Sequence, residues 1–253
     1  MPELLFKFKN TTTREDVERV CDILSNNRLY FPKPSQLNDP LEGTGLSPIL
    51  SVAGSSISNA NDEAHSIIKE YRDSFRILSL SENCFSPQLW AYYCNNYDGV
   101  CLCYNATKSF ANATPIMYSS ETNTYNFEKM EKDDIYKTLK KHFQIKQPDW
   151  KSEREWRIVE QTNDNYITYN PDELLCIIIG HNVSKETVKT LQNHIRTNIK
   201  ILQTKPGIIS RNINFLPLGY IPVYDGSSPT HISELNELEK YVNTITPTLK
   251  RGD

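Results

Sequence analysis

The chain has 253 residues, 38% hydrophobic and 23% charged, with a formal net charge of −3. Such a length buries one large core or two small ones, and the composition is that of an ordinary globular protein. The slightly acidic balance lacks the basic footprint of a general nucleic-acid binder.

In chain order, Met1-Pro2-Glu3-Leu4 has no basic region followed by an apolar stretch, so no secretory signal is expected. Leu4 to Phe8 reads as a short strand carrying Lys7, with Lys9 just beyond. Thr13 is placed to cap a helix running to about Ser25, with Glu15 and Asp16 favouring its first turn. Val17, Val20, Cys21 and Leu24 recur there at helical spacing. Arg28 to Phe31 reads as a second strand, ended by Pro32 and Pro34. The polar stretch from Lys33 to about Asn59 is aperiodic, and a loop of that length is usually functional.

A helix over about 62–75 and an alternating strand over 76–82 follow. Pro87 to Asn96 reads as a short helix, and Asp98-Gly99 turns the chain into a strand over 100–104. Glu128 to Phe143 is a charged helix with Met130, Ile135 and Leu139 inward. Lys151 to Val159 reads as a strand, with Glu153, Glu155 and Arg157 on one face and Arg154, Trp156 and Ile158 on the other. Strands are expected at 166–169 and 174–179, the latter an apolar run suited to cover on both faces. It is the longest such run and far too short to span a bilayer. Ser184 caps a helix to about Thr197, strands follow near 200–202 and 208–215, and an amphipathic helix runs over about 231–242.

Six cysteines are scattered, none in C-x-x-C spacing and none with a histidine at zinc-finger distance. Four lie in apolar runs, where Cys behaves as a small buried hydrophobe. A reducing, cytoplasmic setting without membrane association is expected. The expected fold is α+β, a central mixed but mostly antiparallel sheet with flanking helices. Residues 1–204 form one catalytic-like domain, and 205–253 an extension packed on it.

Several constellations bear on chemistry. Asn38-Asp39-Pro40-Leu41-Glu42 is either a tight turn or a polar wall of a cleft. Ser79 and Ser81 share a face of their strand. Trp90 reads as a core wedge, while Tyr92 or Tyr93 is free to stack on a planar ring. Glu153 and Glu155 beside Arg157 make either a salt-bridged structural cluster or the acidic end of an active site. No Ser-His-Asp or Cys-His arrangement, P-loop or G-x-G-x-x-G is visible.

Three segments taken together resemble a bacterial family catalogued as domain of unknown function 2971. They are Leu29 through Glu42, Leu89-Trp90-Ala91-Tyr92-Tyr93 through Val100, and Trp150 through Ile158, with Pro171 to Gly180 as the closing strand. The likeness covers about residues 4–182 and brings no activity with it. A more distant resemblance is to the ADP-ribosyltransferase superfamily. A basic strand, a Ser-x-Ser strand and a Glu-x-Glu strand occur in its order. Lys7 or Lys9 stands where that superfamily has Arg or His, and Leu80 where it has a central Thr.

This second resemblance implies NAD as substrate and an ADP-ribosyl-transferring or NAD-cleaving enzyme in a toxin or phage-defence setting. Glu155 would stabilise an oxocarbenium-like cation and hold the ribose 2′-OH. Glu153 would orient the nucleophile, and Tyr92 would stack on nicotinamide. Lys7, Lys9, Ser79, Ser81, Asn38 and Asp39 would contact the nucleotide. The acceptor macromolecule is not specified.

Two other readings stay open. One is a metal-dependent nuclease using Asp39, Glu42, Glu153 and Glu155 around Mg²⁺. The other is a non-catalytic binding or regulatory module, favoured where internal Arg or Lys partners saturate both carboxylates and no pocket adjoins them.

Overall fold

The structure is a computed structural model and describes residues 1–38, 69–120, 131–196, 199–206, 213–217, 232 and 234–243. By packing, the chain divides into two interleaved units. The first comprises Met1–Arg28, Leu80–Ala111 and Thr168–Asp253; the second comprises Leu29–Ser79 and Asn112–Ile167.

Unit one is built on β1 (Leu4–Asn10), β4 (Gly99–Asn105), β10 (Leu174–Ile179), β11 (Lys200–Pro206) and β12 (Ile213–Pro217). Their order is β12-β11-β10-β4-β1, and the end of β3 (Phe75–Ser81) pairs Ser81 with Phe6 of β1. The pairs β1–β4, β4–β10 and β11–β12 are antiparallel, while β10–β11 is parallel. The mixed, mostly antiparallel α+β architecture expected from the sequence is therefore present. Helix α1 (Arg14–Asn26) starts at the anticipated Thr13, whose side chain accepts the Asp16 N–H in a reciprocal capping box. It stops at Asn27, whose left-handed backbone (φ 51°) ends the helix. Helix α2 (Pro87–Tyr93) is capped by Ser86 and buries Trp90 completely, its indole N–H donating to the Cys84 carbonyl at 2.8 Å.

The core of this unit is rich in thiols. Cys84, Cys94, Cys101, Cys103 and Cys176 pack with Phe6, Phe8 and Trp90, and Leu238 and Val242 of a late helix join them. All six cysteines are free. Gly99 and Gly180 permit close backbone approach, since a Cβ on Gly180 would stand 2.0 Å from the Tyr97 carbonyl oxygen.

In unit two the strand order is β3, β8 (Glu155–Gln161), β5 (Thr114–Pro115), with β5 antiparallel to β8. β2 (Arg28–Tyr30) pairs with β9 (Tyr166–Thr168), and β6 (Met117–Tyr118) runs parallel to β7 (Ile145–Lys146). Helix α3 (Lys132–His142) lays Ile135 and Leu139 against Phe75, Ile77, Phe143 and Val159. Phe75, expected at the end of a helix, instead begins β3.

The stretch 151–159 departs from the expected continuous strand. Residues Pro148–Glu153 form a 3₁₀ helix, Arg154 adopts a left-handed conformation (φ 45°), and the strand begins only at Glu155. Simple alternation thus fails for Glu153, because Pro148 favours the helical turn and Arg154 reverses the chain before β8.

Candidate functional site

Strand β8 points Glu155 and Arg157 to the same side, and the turn at Arg154 returns Glu153 towards them. Glu153 and Glu155 are each 5% exposed and Arg157 is 1% exposed. Burial this deep compels pairing, because an unpartnered ion out of water is very costly.

Internal cations meet both carboxylates. Lys146 Nζ lies 2.7 Å from Glu153 Oε2 and 3.1 Å from Glu155 Oε2. Arg157 donates from Nε to Glu155 Oε1 at 2.6 Å and from Nη2 to Oε2 at 2.9 Å, a bidentate fork. Its Nη1 donates to the Phe143 carbonyl at 2.8 Å. The Ser79 hydroxyl adds a further hydrogen bond to Glu155. Tyr118 Oη accepts the Glu155 backbone N–H at 2.8 Å, and the Trp150 ring lies 4.6 Å from Lys146 Nζ. Burial alone pushes the Glu155 carboxyl up. Arg157, then Lys146 and Ser79, outweigh that and bring its pKa down to about 2. Two anions and two cations, formally neutral, fill one buried cluster within unit two.

The other site residues fall as follows. Ser79 meets Glu155. Ser81, in unit one, bonds the Asn83 backbone through its hydroxyl at 3.0 and 3.2 Å, a turn. Lys7 and Lys9 are partly buried on one face of β1. Burial, then Arg19, hold the Lys9 amine below its usual pKa, with Asp16 opposing. Tyr92 is 69% exposed and lines a shallow groove with Asn10, Thr12 and Asn95, a set that does not include either lysine. Asn38 is exposed. Asp39 and Glu42 lie outside the described residues. Among the described residues, no group of three or more His, Cys, Asp or Glu is placed to hold a metal ion, and no helix is long and apolar enough to cross a membrane.

Sequence reasoning missed Lys146 and Tyr118. Both arrive on the two-residue strands β6 and β7, where Tyr118 and Lys146 are register partners. Two neighbouring acids facing a sheet were the only hint, since such a pair demands cations from elsewhere.

No curated protein and no solved structure significantly matches the chain. The segment from α2 into β8, which carries Tyr118, Lys146, Glu153, Glu155 and Arg157, bears out the first resemblance: residues 89–158 match the model of the family described as "Protein of unknown function (DUF2971)".

Proposed function

We propose that the chain is a non-catalytic binding or regulatory module, with Lys146, Glu153, Glu155 and Arg157 as the structural keystone of unit two. The observation that carries this reading is the burial of both carboxylates at 5% exposure, with a cation on each oxygen of Glu155 and Lys146 on Oε2 of Glu153. An oxocarbenium stabiliser needs a carboxylate that faces substrate, and both oxygens of Glu155 face internal cations. The free, mostly buried cysteines support a reducing, cytoplasmic setting.

A second reading, an NAD-dependent ADP-ribosyltransferase or NAD-cleaving enzyme in a bacterial toxin or defence setting, has one observation behind it. Ser79, from the Ser-x-Ser strand, bonds Glu155. Catalysis of that kind requires the Arg157–Glu155 fork to open towards a nucleotide.

One experiment separates the two. Purified protein incubated with NAD is expected to release no nicotinamide, while Glu155→Gln lowers the melting temperature. Nicotinamide release that Glu155→Gln abolishes at an unchanged melting temperature overturns the module and establishes the enzyme.

A further inference from the structure

Arg76 is the second buried guanidinium of unit two, 4% exposed at the start of β3, and its surroundings differ from those of Arg157. Among the described residues, no carboxylate meets it. Nη1 donates to the backbone carbonyls of Asp73 and Phe75, each at 2.9 Å, which satisfies one edge of the group at the end of the helical turn 69–73. Nη2 reaches only Asn165 Oδ1, at 3.4 Å, well beyond the usual ~2.9 Å. Among the described residues, Nε has no hydrogen-bond partner.

The acids that neighbour these contacts in sequence have other donors. The Asp73 carboxylate takes Arg72 at 3.3 Å, and Asp164 accepts from the Thr162 hydroxyl at 3.3 Å. The edge left open, Nε with Nη2, is one of the two forks with which arginine grips a carboxylate or phosphate through two parallel hydrogen bonds. On that edge the exposed Asn165 places its Oδ1 where one ligand oxygen would sit.

We infer that Arg76 is an anion subsite: its Nε–Nη2 edge takes one carboxylate or phosphate group of a ligand when the Asn165 side chain swings aside. The charge balance asks for this, because a buried cation without a counter-ion is stabilised by any anion that reaches it. Alternation along β3 places Arg76 on the opposite face from Ser79, so this subsite stands or falls apart from the Glu155 cluster.

The test is a titration of ¹⁵N-labelled protein with sodium phosphate and, separately, sodium acetate, against sodium chloride at matched ionic strength. The Arg76 Nε–Hε resonance, assigned by its disappearance in Arg76→Lys, is expected to shift saturably with one of the two anions and not with chloride. Phosphate or acetate as the effective arm identifies which group the ligand carries. Asn165→Asp provides an internal carboxylate 3.4 Å from Nη2. It is expected to raise the melting temperature and weaken the anion response at least about tenfold, a difference of roughly one decade in Kd. Should Arg76→Lys fail to fold, the Nε–Hε signal that moves in Asn165→Asp without added anion makes the assignment. A wild-type Nε–Hε resonance indifferent to both anions overturns the inference and leaves a buried water as the partner of Nε. An unchanged response in Asn165→Asp overturns it equally.

Discussion

The cores of the two units differ in chemistry, although unit one also buries one carboxylate, Glu173, held by Ser109 and the Asn170 N–H. Unit one buries thiols: Cys103 and Cys176 are register partners on β4 and β10, both wholly buried, amid Phe6, Phe8 and Trp90. Burial first, then the hydrogen bond to Cys176, pushes the Cys103 thiol well above its usual pKa, so this core stays neutral. Unit two buries ions, and every oxygen of Glu155 answers to a cation. A thiol tolerates an apolar neighbour, whereas a carboxylate demands a partner brought from elsewhere in the chain. Unit one is therefore specified largely by hydrophobic pattern, and unit two by a few long-range pairings that must all be present.

The sharpest break of that comparison is Glu155→Gln. It leaves Arg157 at 1% exposure and Lys146 at 6% without their shared anion. A loss of about 3–5 kcal/mol is expected, the usual cost of removing one partner from a buried pair. Urea denaturation followed by circular dichroism measures it, and a loss below about 1 kcal/mol would mean that the cluster is solvated after all.

Acid probes the same difference without mutation. The folded-state pKa of Glu155, about 2, lies below its ordinary value of 4.5. Its contribution is thus fully present above pH 4.5 and is lost as the pH falls towards 2. Glu155→Gln should remove the Glu155 share of that acid-dependent slope. A slope that survives the substitution intact would assign acid sensitivity to other carboxylates.

A smaller effect is expected in the thiol core. Cys103→Ser sets a hydroxyl among apolar side chains with only a thiol opposite, at a cost of about 1–3 kcal/mol. In the native state a thiol reagent should modify Cys21, which is partly exposed, well before the five buried cysteines. Modification of Cys103 at the same rate as Cys21 would contradict a closed core.

Much of unit one was legible in the sequence because its signals are local. Thr13 and Ser184 cap their helices with side-chain bonds, and the apolar run 174–179 is a strand buried almost throughout. In unit two the decisive events are not local. Arg154 takes a left-handed backbone that its identity does not announce, and this broke the expected alternation at Glu153. β5, β6 and β7 are two residues each, too short for any period to show. Lys146 sits between Ile145 and Gln147 with no sign that it would close over two glutamates seven and nine positions away. Ser79 and Glu155 were singled out in the sequence separately, and their contact was not read from it. Nor was the closure of Glu155 by Lys146, because it depends on a strand pairing that no motif encodes.

The smallest effect belongs to a pair that looks the same by distance. On α1, Arg14 Nε and Glu18 Oε1 are 2.8 Å apart, against 2.7 Å for Lys146 and Glu153. Their side chains, however, are 93% and 62% exposed, where the buried pair shows 5% and 7%. In water the Coulomb attraction of such a pair is small, and ordering two long side chains opposes it. Glu18→Ala should cost about 0.2–1 kcal/mol in low salt, and nearly nothing in 1 M salt, where the Debye length falls to about 3 Å. The loss in Glu155→Gln should persist in the same salt, because the desolvated cluster excludes the screening ions. If both losses faded alike, solvent would have to reach Glu155, and the carboxylate would again be available to a nucleotide.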